Sequence, residues 1–252
     1  MSYFENDGLS LYYEVHGSGL PVVMLHGGAV SFAGNFGGCG WIDPFTARGL
    51  QVVGLDARGH GNSDKPHDTA MYGTDAFTRD VIALTEHLSI ERAALVGYSI
   101  GSAIALHLLH THPRRFLRGA LVATGDGLIG YPPRTFPEIL PMMVEAVSRE
   151  EYPEDLPPQA AAYWTFATNF SGDRAAVAAG ARADYPPCSI EEARSIDVPV
   201  LVVSGDGDNV LGTAARLAEA LPRGEYLEIA GADHFSLALD ESVQKAVADF
   251  LK

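Results

Sequence analysis

Ala93-Ala94-Leu95-Val96-Gly97-Tyr98-Ser99-Ile100-Gly101-Ser102-Ala103-Ile104-Ala105-Leu106-His107-Leu108-Leu109 is the stretch that decides how this chain is read. Its first four residues form an unbroken apolar run, suited to a strand buried on both faces. Its last eight are rich in alanine and leucine and favour a helix. Between them Gly97 and Gly101 bracket Ser99, where a sharp strand-to-helix turn leaves no room for a β-carbon. A serine hydroxyl is a weak nucleophile at neutral pH, and it becomes useful when the backbone thrusts it toward a general base. The strand before and the helix after lift this G-x-S-x-G above a chance pentapeptide.

Outward from the turn, buried-type strands alternate with helices. Tyr3-Phe4 and Leu9–Val15 flank Asn6-Asp7-Gly8, a hairpin signal. Further strands are expected at Pro21–Leu25, Leu50–Leu55, Ala93–Gly97, Gly119–Thr124, Val198–Val203 and Glu225–Ile229. From Thr74 to Ser89 a helix places Phe77, Val81, Leu84 and Leu88 on one face, and Glu241–Lys252 closes the chain as another. Apolar strands alternating with helices predict an α/β fold, a three-layer α/β/α sandwich around a mostly parallel sheet covered on both faces. One interval breaks the rhythm. Residues 127–196 lack a buried-type strand and hold nine of the fifteen prolines with eight aromatic residues, Tyr131 to Tyr185. A connection of that length predicts a helical lid inserted into a core made of residues 1–126 and 197–252; irregular packing around short helices is the plainer alternative.

The 252 residues suffice for one large domain or two small ones,. A net charge of −15 argues against nucleic acid and against anionic membranes, since no basic stripe exists to meet phosphate,. Cys39 and Cys188 are the two cysteines, and their spacing indicates neither a disulfide framework nor a zinc site,. Met1–Gly8 lacks the basic-then-apolar pattern of a signal peptide, and no apolar run reaches the roughly 20 residues of a membrane span. A cytoplasmic monomer or homodimer is expected.

A nucleophilic serine needs a base, and the base needs an orienting carboxylate. Of the nine histidines, His234 stands in the loop after the last strand, at the carboxyl edge of the sheet where catalytic groups gather. His107, His110 and His112 ride away from the N-terminus of the Ser99 helix. His67 and His87 suit the surface, and His16 lies near a hairpin end. For the acid, Ser204-Gly205-Asp206-Gly207-Asp208 follows the strand ending at Val203, and Asp208 is carried furthest into the loop. Asp206 and Asp126 are the competing carboxylates, Asp206 also suiting a turn residue that caps its own backbone. Oxyanion donors are expected from the N–H of Ile100 and from His26-Gly27-Gly28-Ala29, with Gly28 first and Ala29 next. His26 would brace that loop without serving as a second base. No G-x-G-x-x-G or P-loop stands there, so a nucleotide is not expected.

With these pieces in order the chain resembles the α/β-hydrolase fold family over essentially its whole length. The likeness rests on His26-Gly27-Gly28, on Gly54-Leu55-Asp56-Ala57-Arg58-Gly59-His60-Gly61-Asn62-Ser63-Asp64, on the turn at Ser99, and on Ser, Asp and His in that chain order,. It implies an eight-stranded, largely parallel sheet with a helical cap between the sixth and seventh strands. It also implies that Asp56 and Arg58 hold loops beneath the site without acting in it. A serine nucleophile is unlike the dehalogenase and epoxide-hydrolase branches, which use aspartate. Ser102 stands where many enol-lactonase and haloperoxidase-like members carry a further glycine. The resemblance implies a serine hydrolase, esterase- or lactonase-like, that cleaves an ester, lactone or thioester of a small to medium apolar substrate without metal or organic cofactor. A lyase, perhydrolase or acyltransferase on the same fold is the alternative, and a slow, receptor-like use of the triad is a third.

Overall fold

The apolar runs become one sheet in the computed structural model, which describes residues 2–131, 136–208 and 210–252. Its strands are β1 (Ser2–Asn6), β2 (Leu9–His16), β3 (Leu20–Leu25), β4 (Leu50–Leu55), β5 (Ala93–Tyr98), β6 (Phe116–Val122), β7 (Val200–Gly205) and β8 (Gly224–Ile229). They lie in the order β1-β2-β4-β3-β5-β6-β7-β8. The β1–β2 hairpin turns on Asp7 and Gly8, both at positive φ (51° and 76°), which suits its tight two-residue loop,. β2 runs antiparallel to both its neighbours, and from β4 to β8 every pair is parallel.

Helices α1 (Ile42–Thr46), α2 (Thr74–His87), α3 (Ile100–Thr111), α4 (Phe136–Ser148), α5 (Pro158–Phe166), α6 (Arg174–Ala181), α7 (Ile190–Arg194), α8 (Ala215–Ala220) and α9 (Glu241–Leu251) accompany the sheet. Alternation along each strand splits the core into two layers. Val23, Leu25, Val53, Leu95 and Leu121 meet Phe77, Val81 and Leu84 of α2 and Leu108 of α3 on one face. Val22, Met24, Val52, Val96 and Val122 meet Phe32, Phe36, Trp41 and the α9 residues Val243, Val247 and Leu251 on the other. The three α9 side chains repeat every four residues and are fully buried, so each stabilises the fold by about 1.5–3 kcal/mol,. Asp240 starts that helix by accepting the N–H groups of Ser242 and Val243,.

Element ends differ from expectation for local reasons. β6 begins at Phe116, earlier than Gly119, and stops at Val122 because Ala123 turns the chain at φ 49°, leaving Thr124 outside. β7 starts at Val200 and not Val198, since Pro199 has no N–H to give the ladder, although its carbonyl accepts from Gly119 at 3.0 Å,. α2 ends at His87, short of Ser89, which adopts φ 55°.

Between β6 and β7 the described chain holds α4 to α7 and no strand. α4 packs on α5 and α6. The inserted helices meet the rest of the molecule above β3, β4 and β5: Ser171 donates to the Gly59 carbonyl at 3.0 Å, Tyr185 stacks on Phe77, and Phe166 packs on Phe235. Residues 132–135, two of the interval's prolines among them, and Asn209 lie outside the described residues. No helix among the described residues is long and apolar enough to cross a membrane.

Candidate active site

β5 delivers Ser99 into α3 through a bend whose strain falls on the serine itself. Ser99 holds φ 54° and ψ −116°, a conformation that costs a non-glycine residue about 1–3 kcal/mol,. Gly97 and Gly101 are required for space. A β-carbon on Gly97 would stand 2.3 Å from the Gly101 carbonyl oxygen, and one on Gly101 would stand 2.1 Å from that of Leu25. Both neighbours are backbone atoms that cannot swing aside. The hydroxyl of Ser102, fully buried, donates within reach of the Gly97 and Val122 carbonyls (2.9 and 3.0 Å) and ties the start of α3 to the end of β6.

The structure brings Ser99, His234 and Asp208 together. His234 Nε2 lies 3.0 Å from Ser99 Oγ, and its Nδ1 lies 2.9 Å from Asp208 Oδ2. An ionised carboxylate only accepts, so Nδ1 carries the proton and Nε2 presents its lone pair to the serine hydroxyl. Burial by itself would raise the Asp208 carboxyl. The His234 hydrogen bond and charge outweigh it, helped by the N–H groups of Leu211 and Val210, and the pKa is lowered,. Asp208 and His234 are each 6 % exposed, whereas Ser99 is half-buried and open to a reactant.

The competing acids are occupied elsewhere. Asp126 Oδ1 accepts the Leu217 N–H in α8, and Asp206 Oδ1 accepts the Gly231 N–H. The remaining histidines pair with Glu14, Asp173, Tyr13 or residues around α3, and none of these contacts includes Ser99. Two features of the site had weak sequence signals. Tyr98, buried, donates its hydroxyl to the His234 carbonyl at 2.6 Å and so holds His234 from the residue next to Ser99. Asn35, in an irregular turn, accepts the Gly27 N–H at 2.8 Å.

Among the described residues neither the Gly28 nor the Ile100 N–H has an acceptor. Ile100 opens α3, where an N–H finds no partner within its own helix,. Ala29, the next expected donor, is corrected: its N–H is committed to His60 Nε2 at 3.2 Å. His26 accepts the Ala57 N–H on Nε2 and sits 2.7 Å from the Gly27 carbonyl through Nδ1, so it joins the loops after β3 and β4. Asp56 holds the same loops by accepting from Phe32 and Asn62, and Arg58 makes a buried bidentate pair with Asp80.

His26 and His60, whose rings meet edge to face, are nearly solvent-free, and burial is the main force that lowers their pKa values to about 4 and about 3. An unfolded histidine binds its proton near 6.5, so between these values the unfolded chain holds more protons and stability falls as pH falls. Urea titrations are therefore expected to show stability declining below about pH 6.5, by on the order of 2–3 kcal/mol per ring at pH 4. The decline should be shallower in His60→Gln, which keeps an acceptor for Ala29. An unchanged slope in that variant would place the acid sensitivity elsewhere.

A family model described as alpha/beta hydrolase fold matches residues 21–184. A non-heme chloroperoxidase of Streptomyces lividans is 27% identical over 94% of this chain and 94% of its own. Among solved structures, Est816, described as an N-acyl homoserine lactone degrading enzyme, superposes with a TM-score of 0.77 at 28% identity, over 98% of this chain and 99% of that one. The enol-lactonase from Burkholderia xenovorans LB400 gives 0.76 at 26% identity, over 99% of each chain.

Proposed function

This chain belongs to the α/β-hydrolase fold family, and we propose that it acts there as a serine hydrolase of carboxylic esters, lactones or thioesters. The observation that carries this reading is the unbroken chain from Asp208 through His234 to Ser99, at 2.9 and 3.0 Å. Ser99 Oγ attacks the acyl carbon while His234 Nε2 takes its proton. Asp208 holds the imidazolium that results. Negative charge forms on the former carbonyl oxygen, and the Gly28 and Ile100 N–H groups stabilise it. His234 then protonates the departing oxygen or sulfur, leaving an acyl-Ser99 ester. A water molecule deprotonated by His234 cleaves that ester and returns Ser99 to its starting state. Every proton in this cycle is carried by His234, and the cycle uses neither a metal nor an organic cofactor. The helices of residues 127–196 act as a cap over the site.

The relatives named as lactone-degrading proteins support hydrolysis at an acyl carbon. The chloroperoxidase supports one second reading, in which hydrogen peroxide replaces water in the last step and releases a peracid. Both readings share the acyl-Ser99 intermediate. Treatment of the folded protein with a fluorophosphonate is expected to label one residue stoichiometrically, Ser99, located by peptide mass spectrometry. Absence of labelling would remove the reading.

A further inference from the structure

We propose that the acyl half of the substrate is a short, uncharged aliphatic group, seated in the apolar cavity on the Ile100 and Gly28 side of Ser99. This rests on the serine-hydrolase reading. His234 must return its proton to the leaving oxygen, so the leaving group lies on the His234 side and the acyl substituent points away from it. A cavity of about 50 Å³ that His234 does not line lies between the ends of β3 and β4, helices α2 and α3, and the cap helix α6, and we assign the acyl substituent to it. Gly28, Ile100 and Gly101 line it, the last two following Ser99 directly in the chain, whereas Ser99, His234 and Asp208 do not.

Size sets one limit. A water molecule needs about 10–15 Å³ of such space, so the cavity takes roughly four water-sized groups, an acyl chain of about four carbons. The far wall cannot retreat easily, because Tyr185 stacks on buried Phe77 and donates its hydroxyl to the Gly180 carbonyl at 2.9 Å. Charge sets the other limit. No lysine, arginine, aspartate or glutamate lines the cavity, and both nitrogens of its two histidines, His26 and His60, are engaged with backbone groups. A carboxylate on the acyl chain would be buried there without a cationic partner,.

The test holds the leaving group constant, using p-nitrophenyl acetate, butyrate and octanoate with mono-p-nitrophenyl succinate. Butyrate is expected to exceed octanoate in kcat/KM by about 30-fold or more and the succinate by about 100-fold or more. Val177→Ala, which trims the α6 wall, should narrow the butyrate-to-octanoate ratio. Ala181→Leu, which fills the same wall, should raise the acetate-to-butyrate ratio about tenfold. Octanoate or succinate matching butyrate, or wall variants that leave both ratios unmoved, would overturn the assignment. If Ser99 is labelled by a fluorophosphonate but these profiles fail, or no ester is turned over, the acyl pocket alone falls. If Ser99 also resists labelling, the serine-hydrolase reading falls with it.

Discussion

Ser99→Ala is expected to lower kcat on the best p-nitrophenyl ester by about four to six orders of magnitude. The change removes the oxygen 3.0 Å from His234 Nε2 and leaves the Asp208–His234 bond in place. It leaves the fold alone as well. Alanine carries the same β-carbon into the φ of 54°, so the backbone strain is unchanged, and the lost hydroxyl faced a half-open site and not the core,. The melting temperature should therefore stay within about 2 °C of the parent, and that control separates lost chemistry from lost structure. Steady-state kinetics with the melt decide the matter. A variant that keeps most of its turnover would mean that Ser99 does not start the reaction.

Asp208→Asn carries the second large effect, a fall in kcat of about three to four orders of magnitude. An amide cannot hold the imidazole in one tautomer as an anion does, since its NH₂ can donate to Nδ1 and turn the proton onto Nε2, facing the serine. It also removes the charge that stabilises the imidazolium. The two N–H groups of Val210 and Leu211 can still be met by the amide oxygen, so the loop should survive. The companion variants make the experiment specific. Asp206→Asn and Asp126→Asn are expected to keep kcat within about fivefold, because their carboxylates serve Gly231 and Leu217,. A collapse of activity in Asp126→Asn alone would reassign the acid.

The sheet was legible because each inner strand is a continuous apolar run bounded by turn residues, and a strand covered on both faces cannot read otherwise. Its ends were less so. The start of β6 at Phe116 is hidden by Arg118, a charged residue inside the strand that reaches back to the Phe250 carbonyl. Ser99, His234 and Asp208 could be picked out because each follows a recognisable strand, and position at a carboxyl edge is a property of topology. The supporting contacts could not. That Ala29 spends its N–H on His60, and that Tyr98 grips the carbonyl of His234, depend on residues brought together from 31 and 136 positions apart. No local pattern encodes such pairs. The strand-free interval of residues 127–196 stood out through its prolines and aromatics, but its contacts did not, since they depend on how α4, α5 and α6 pack together.

The insertion of α4 to α7 between β6 and β7 also bears on the order in which the molecule assembles. Gly119 pairs with Val200, about eighty residues along the chain, and closing so long a loop before any contact repays it is slow,. The strands that precede this closure lead to Ser99, Gly28 and Ile100. The strands that follow it lead to Asp208 and His234. During folding the bend at Ser99 is thus expected to form ahead of the placement of Asp208 and His234, so under the proposed mechanism a chain arrested before β7 docks would present a bent but inert serine. Reactivity toward a fluorophosphonate would then appear late, together with the final parallel pairing, and would report completion of the sheet.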